Sequence, residues 1–598
     1  MKYTSILIRT VLLALVFALP FSSCGDVLET ETNSEWDTSY VWRISSISQG
    51  VLDRAYVDMP DMPDFYSSNY LDAATDNALT SSIYSSMYKL GAGEMTSKYQ
   101  IMNNWNTCYN NFQYINQFLE NGLGDQVHYI KNDEVQDNAY KERLKGEAYF
   151  LRAYWGYRLL QVFGGKTDDG DALGYPIVTS FQDQEELENA NLSRNSYEEC
   201  AQQIMNDCDT AFAYLPLTYS GSDKIVGVTE KGRGSGLASL AIKTQVALYA
   251  ASPAFQPDNI VTLNGMGDFT IVDESAYKAK WERAAQVAYT CMQTPGFGSV
   301  YGLKATDLAD AKSTTPGEFI LRAYYNSNKL ENHHFPPFYL GTANTVPSQN
   351  LVDAYPAKNG FPITDARSEY DPQNPYVNRD NRFELSIYYQ NKTYGKSGVP
   401  VDVTENGAFG SRYSNNNSRT GYYLAKGLSK TQNMLDVNVN KKSVHYFPLL
   451  RKTEVFLAFA EAANEAWGPK GLGPDMSQSA YDIIKLLRYK SGGISSTTYL
   501  DEVAANTDSF RKLIHNERRI ELAFESSRYW DLRRWLDVLN KPVYGVKVTV
   551  SDSYNQELIY DYRKVEDRAY NDIKYYYSPL PYDELLKMSN LKNNKGWN

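Results

Sequence analysis

The sequence predicts a mostly α-helical chain, a helical-repeat scaffold with an irregular, loop-rich second part carrying short strands. Three observations predict it. Apolar residues recur at helical spacing through the first half, as in Leu144, Ala148, Leu151, Trp155, Leu159 and Val162. Between residues 295 and 450 that period fades while Gly, Pro, Asn and Tyr rise. Helical spacing then returns in 453–467, in 477–490 and around Glu517.

Taken in order, the chain opens with Lys2 and Arg9 flanking a short apolar run from Val11 to Leu19. That run is far short of the ~20 residues that cross a bilayer, so it reads as a secretory signal. Pro20-Phe21-Ser22-Ser23-Cys24 places small residues before a lone cysteine, which suggests a lipoprotein site with residues 1–23 removed and Cys24 lipidated. Cleavage elsewhere by ordinary signal peptidase is the alternative. Residues 24–40 are polar and without helical period, as a tether would be. An amphipathic segment from Trp42 to Tyr56 follows, broken by the proline-rich stretch 58–64. Residues 67–102 mix Ser, Asn, Gly and Tyr and read as an irregular loop, and long ordered loops tend to carry function.

Helices then dominate. Residues 138–163 form one continuous apolar face, stopped by Gly164-Gly165. Ser196 and Glu199 make a capping-box pattern ahead of a face formed by Tyr197, Ala201, Ile204, Cys208, Ala211 and Leu215. Residues 237–251 are rich in Ala, which permits close helix packing, and 277–292 add a further helix. Trp105, Trp155 and Trp281 fall on helical faces and are assigned to the core. Helices of this length, with small residues where they cross, resemble tetratricopeptide hairpins, although the loops between them vary in length. The sequence alone supports a helical solenoid, with a helical bundle as the alternative. In the second part, 318–322 and 386–389 are strand-like, and 332–339 is an aromatic-rich loop.

Composition narrows function. The 59 basic and 71 acidic residues give a net charge of −12, which argues against nucleic acid or an anionic lipid surface as a partner. Tyrosine is abundant, with 49 residues. Its flat apolar ring and its hydroxyl are the two features that stack on a sugar and bond its hydroxyls. Cys200 and Cys208 fall on one helix, where eight residues rise ~12 Å, too far for a disulfide. No CxxC pair exists and the five histidines are scattered, so no cysteine-based zinc site is expected. His333-His334 offers two imidazoles, but adjacent side chains should diverge, so no metal and no cofactor are expected.

Near the C-terminus, Phe510, Ile514, Glu517, Glu521 and Phe524 share one helical face, which sets two carboxylates in an apolar stripe. Burial makes each anion costly unless a cation pairs with it. Arg528, Arg533 and Arg534 follow, with planar forks suited to carboxylates. A carboxylate pair can do acid–base work, but arginines hold both members ionised rather than raise one pKa. The expectation is therefore a buried ionic lock of Glu517, Glu521, Arg528, Arg533 and Arg534, with no catalytic residue.

The stretch ERRIELAFESSRYWDLRRW, residues 517–535, resembles the C-terminal signature of the SusD/RagB family, surface glycan-binding lipoproteins of Bacteroidetes. Other blocks resemble the family in its order. Leu151-Arg-Ala-Tyr-Trp-Gly-Tyr-Arg-Leu-Leu-Gln-Val-Phe-Gly-Gly165 is similar to the N-terminal block, and Val346-Pro-Ser-Gln-Asn-Leu-Val-Asp-Ala-Tyr355 with Asn359-Gly360 to the middle one. Phe456-Leu-Ala-Phe-Ala-Glu-Ala-Ala-Asn-Glu465, Pro579-Leu-Pro581 and Asn594-Lys-Gly-Trp597 complete the set. Two departures stand out: Phe21 where Leu is usual before the cysteine, and Arg379-Asp-Asn-Arg382 where Arg-Asp-Pro-Arg is frequent.

The resemblance implies a tetratricopeptide-like scaffold over 41–294 and a C-terminal SusD/RagB region over 295–598, with helices 453–490 completing the scaffold. It implies a non-enzymatic protein, lipid-anchored at Cys24 on the extracellular face of the outer membrane. Such a protein captures an oligosaccharide and delivers it to a SusC-like TonB-dependent transporter. It directs the ligand to loops: Asp76 as hydroxyl acceptor, Tyr84 and Tyr88 as ring platforms, and Phe338 and Tyr339 as the opposing wall. Arg412 and Tyr413, beside Asn415, Asn416 and Asn417, are a further pair. The alternatives are a surface glycoside hydrolase, for which no motif nominates a carboxylate pair, a peptide-binding member of the same family, and a helical adaptor that binds only protein.

Overall fold

Nine of the longer helices follow one another in space nearly as they do in sequence. The structure, a computed structural model, describes residues 38–310, 317–394, 399–410, 418–431, 433–439, 441–551 and 557–597. Helix α1 (Ser45–Val57) packs on α2 (Trp105–Asn121), which packs on the 30-residue α3 (Glu134–Phe163). Helices α4 (Tyr197–Tyr214), α5 (Gly236–Ala251) and α6 (Glu274–Met292) extend the array. The chain then leaves it for some 150 residues and returns as α7 (Lys452–Trp467), which lies against α6 and α5. Helices α8 (Ala480–Lys490) and α9 (Thr507–Glu521) pack on α7, and the short α10 (Arg528–Arg534) closes the run.

Local chemistry sets the helix ends. Ser196 Oγ accepts from the Glu199 amide while Glu199 reaches back to the Ser196 amide, so the capping box read from the sequence is formed. Asp133 caps α3, which starts at Glu134, four residues before the sequence-based start. Ser479 and Asp482 box α8, which starts at Ala480 rather than 477. Helix α5 is buried on nearly every side because four helices surround it, and its alanines make that approach possible. Two glycines do the same for α3 and α4. A Cβ at Gly146 would stand 2.8 Å from Leu215, and one at Gly156 would stand 3.0 Å from Ile204. Trp105, Trp155 and Trp281 are buried in this core.

A second, aromatic core contains Phe335, Tyr355, Phe383, Tyr388, Tyr394, Tyr422 and Tyr423 of the second part together with Tyr70 of the first. Among the described residues its sheets are two-stranded. β1 (Ala78–Thr80) pairs antiparallel with β3 (Thr345–Pro347), β2 (Phe319–Asn326) with β4 (Val444–Arg451), and β5 (Val543–Val550) with β6 (Leu558–Glu566). The β1–β3 pairing corrects one expectation. The stretch 67–102 is not irregular throughout: residues 69–80 are all buried, through a 3₁₀ turn at Leu71–Ala74 and then β1, and a short helix follows at Ser86–Gly91.

The ionic lock is present, but with different cations. Glu517 is held by Arg488 at 2.8 Å and Arg382 at 2.7 Å, and Glu521 by Arg451 at 3.0 Å and Arg382 at 3.3 Å. Arg451 also clasps Glu525, four residues further on. The arginines that follow in sequence turn elsewhere. Arg534 forks onto Glu461 and reaches Asp531, and Arg528 takes Asp76. Among the described residues Arg533 has no carboxylate partner, and its guanidinium lies 3.4 Å over the Tyr529 ring and 5.0 Å from that of Tyr570. The reason is geometric: α9 ends at Glu521, and the left-handed Phe524 and Ser526 re-aim the chain before α10 begins.

Candidate functional site

The β1–β3 pairing brings the first of the sequence-nominated loops to the second. Beyond β1, the Ser81 amide donates to Asn344 O, and Asn344 Nδ2 donates to Ser68 O. The segment carrying Tyr84 is thereby tied to the loop that follows Phe338 and Tyr339. Tyr84 is 84% exposed, beside a half-exposed Tyr88 and an exposed Ile83. Phe338 is 44% exposed and packs at 4.7 Å on Phe409.

Two nominated residues lie elsewhere than expected. Tyr339 is 6% exposed and stacks on Tyr394 at 4.1 Å, so its face is covered by protein. Asp76 is buried, and both its oxygens are 2.9 Å from Arg528, with Arg519 at 3.1 Å from one of them. Those guanidiniums hold its carboxyl well below the usual carboxylate range against a burial that pushes it up. Asp76 therefore extends the ion network and is not presented to a ligand. Arg412 and Tyr413 lie outside the described residues, as does Cys24.

A cleft of about 270 Å³ opens where residues 403–410 and 418–421 meet the β5–β6 hairpin. Phe409, Glu405, Arg419, Lys547 and Arg563 are among the residues that line it. Arg419 is fixed from two sides, donating to Thr80 O at 3.1 Å and pairing with Glu566 at 2.8 Å. The approach of 418–421 to β5 needs glycine: Gly421 has φ +80, and a Cβ there would stand 2.3 Å from Val546 O. Lys547 and Arg563 are exposed, and among the described residues neither has a carboxylate partner. Through Phe409 the cleft adjoins Phe338, and through Arg419 it adjoins β1 and so the Tyr84 segment.

This arrangement offers cationic donors, a carboxylate without an ion-pair partner among the described residues, and the exposed ring of Phe338 nearby. It can hydrogen-bond hydroxyls or carboxylates and stack on a sugar face. Among the described residues it contains no nucleophile–base pair. Sequence reasoning missed Arg419, Lys547 and Arg563. The available signal was the alternation in Val546-Lys547-Val548, which marks a strand with Lys547 on the outer face.

A second cluster lies apart from the cleft's cations. His333 Nδ1 is 2.6 Å and His334 Nε2 is 3.1 Å from the same oxygen of Asp64. The adjacent histidines do not diverge. They converge because one presents its near nitrogen and the other its far one.

The chain is similar to known proteins along most of its length. Residues 316–597 match the family model described as the SusD family, and residues 27–231 match one described as starch-binding associating with outer membrane. A SusD-like protein P2 from Formosa agariphila is 23% identical over 472 residues, 78% of this chain and 76% of that protein. A SusD-like carbohydrate binding protein from Bacteroides fragilis superposes with TM-score 0.68 at 22% identity, covering 92% of this chain and all of the other. A SusD homolog from Bacteroides thetaiotaomicron gives 0.59 at 19% identity, covering 95% and 100%. The matched structures share the helical fold described above.

Proposed function

The chain belongs to the SusD/RagB family, and from that premise we propose that it captures an oligosaccharide at the cell surface and delivers it to a TonB-dependent outer-membrane transporter. The family is described as starch-binding and associated with the outer membrane, which supports carbohydrate binding and that location at the level of the family. The anchor of this reading is a lipid on Cys24, with the fold on the extracellular face and the SusC-like transporter as partner. Regions 41–294 and 295–598 act together, the helical array presenting the loops of the second part.

One observation carries the ligand reading: the cleft of Glu405, Arg419, Lys547 and Arg563 adjoins the exposed ring of Phe338 through Phe409, and Arg419 ties it to β1, which leads into the segment of the exposed Tyr84. Polar groups at such a site fix orientation, while rings supply contact area at low conformational cost. Release then follows from docking with the transporter and involves no covalent step.

Calorimetric titration against plant, host and fungal oligosaccharides tests it. A binding heat that falls at least tenfold in affinity in Tyr84→Ala, Phe338→Ala and Arg563→Ala supports the site. Unchanged heats in all three remove it, and turnover of the oligosaccharide would restore the hydrolase reading. Cys24→Ala should leave the protein unlipidated and soluble; continued membrane attachment through the same terminus would sink the anchor.

A further inference from the structure

We propose that Asp64, His333 and His334 form a binding site for a divalent transition ion of the zinc type. Asp64 ends the proline-rich stretch that follows α1, and the histidines end the short helix Lys329–His334, 269 residues later in sequence. The three donor atoms lie within 4.8 Å of one another. Asp64 is 1% and His334 is 0% exposed, whereas the His333 side chain is 27% exposed. Two imidazole nitrogens and a carboxylate oxygen are a donor set that zinc accepts, at bond lengths of about 2.0–2.2 Å. Tetrahedral ligands at those lengths stand about 3.3 Å apart. His334 is already close to that separation from the Asp64 oxygen, and His333, at the exposed edge, needs to retreat by less than an ångström. The exposed edge leaves the fourth position to water.

Two further observations point to a cation. The second oxygen of Asp64, Oδ1, is buried without a hydrogen-bond partner among the described residues. A buried carboxylate also demands a compensating positive charge. Among the described residues Asp64 pairs with no lysine or arginine, only with these two imidazoles. A divalent ion would satisfy the carboxylate and use both nitrogens.

The ion would cross-link the segment after α1 to the base of the Phe338 loop, since the backbone carbonyls of Asn332 and His333 anchor Thr342 and Asn344. The site stands whether or not that loop binds glycan.

The test uses the untagged mature protein, dialysed against micromolar zinc and then against metal-free buffer, with bound zinc counted by elemental analysis and affinity measured by calorimetry. One equivalent of zinc is expected, with a rise in melting temperature that EDTA reverses. His333→Ala should lose affinity at least tenfold while keeping its circular dichroism, because the side chain is partly exposed. Asp64→Asn, which keeps shape but removes the charge, should lose it too. Cobalt in place of zinc should show the visible absorption of a four-coordinate nitrogen–oxygen site in wild type and not in His333→Ala. No zinc above background in wild type, or a full equivalent retained by a folded His333→Ala, overturns the proposal.

Discussion

Asp76 and Arg528, 452 residues apart in sequence, meet side-on, with the guanidinium Nε and Nη2 each 2.9 Å from one carboxylate oxygen. Both side chains are buried, and Arg519 approaches the same carboxylate. This fork fastens the buried turn at 71–80 to α10 across the whole length of the chain. Asp76→Asn should strand two buried guanidiniums and lower stability by about 3–5 kcal/mol, read from the urea midpoint. The depressed carboxyl pKa gives the pH sign. Its stabilisation is present above the unfolded carboxylate value and is lost as pH falls below it, so wild type and variant should converge in acid. A fully stable Asp76→Asn protein that has lost glycan affinity would return Asp76 to the ligand site.

Tyr84 and Tyr339 were expected to face one another across a ligand, and their burial now separates them. Tyr339→Ala removes a ring stacked between Tyr394 and the Phe338–Phe409 pair, and should cost about 3–5 kcal/mol. Tyr84→Ala removes an exposed ring and should change stability by less than about 0.5 kcal/mol. Thermal melts of the two variants check this. Equal melting temperatures would mean that Tyr339 is not the packed residue described.

The helical array was legible because helix faces repeat at a spacing that one sequence displays. Ser196 with Glu199, and the row from Leu144 to Val162, specify their neighbours within a few residues. The ion network was legible in kind, because Glu517 and Glu521 sit in an apolar stripe and must find cations. Its pairing was not, because Arg382, Arg451 and Arg488 come from distant segments while the nearer Arg528, Arg533 and Arg534 turn to Asp76, tyrosine rings and Glu461. The cleft was hidden for the same reason. Glu405, Arg419, Lys547 and Arg563 become neighbours only when a loop closes over a hairpin that begins more than a hundred residues later. The histidines illustrate a finer limit: the sequence shows adjacency, but not which ring nitrogen each presents.

Glu454 gives a pH dependence of the opposite sign to Asp76. It lines a cavity with Arg158, Arg518 and Asp531, and burial pushes its carboxyl up from 4.5 to about 7. A carboxyl that is harder to ionise folded than unfolded holds its proton in the folded state between those values. Folding stability from this group should therefore decline as pH rises from about 4.5 to about 7 and level off above, by on the order of 2–3 kcal/mol. Glu454→Gln cannot ionise and should remove the decline. Denaturation at pH 5 and pH 8 should then show the variant gaining on wild type at the higher pH. A constant difference between the two would mean that Glu454 ionises as freely folded as unfolded.

Glu517 decides between lock and catalyst. Its carboxylate bridges Arg488 on α8 and Arg382, which is itself forked onto Asp380, so one anion ties two helices to the second part of the chain. Glu517→Gln keeps the shape and removes the charge, leaving two buried guanidiniums short of an anion, and should cost about 3–5 kcal/mol. If the loss arises from those stranded cations, then pairing the change with Arg488→Met should recover part of it, because the double variant no longer buries that unmatched charge. Chemical denaturation of the two singles and the double measures the coupling. Additive losses would mean that Glu517 and Arg488 act independently. A Glu517→Gln protein of undiminished stability that had lost turnover of an oligosaccharide would instead make this carboxylate a catalytic group.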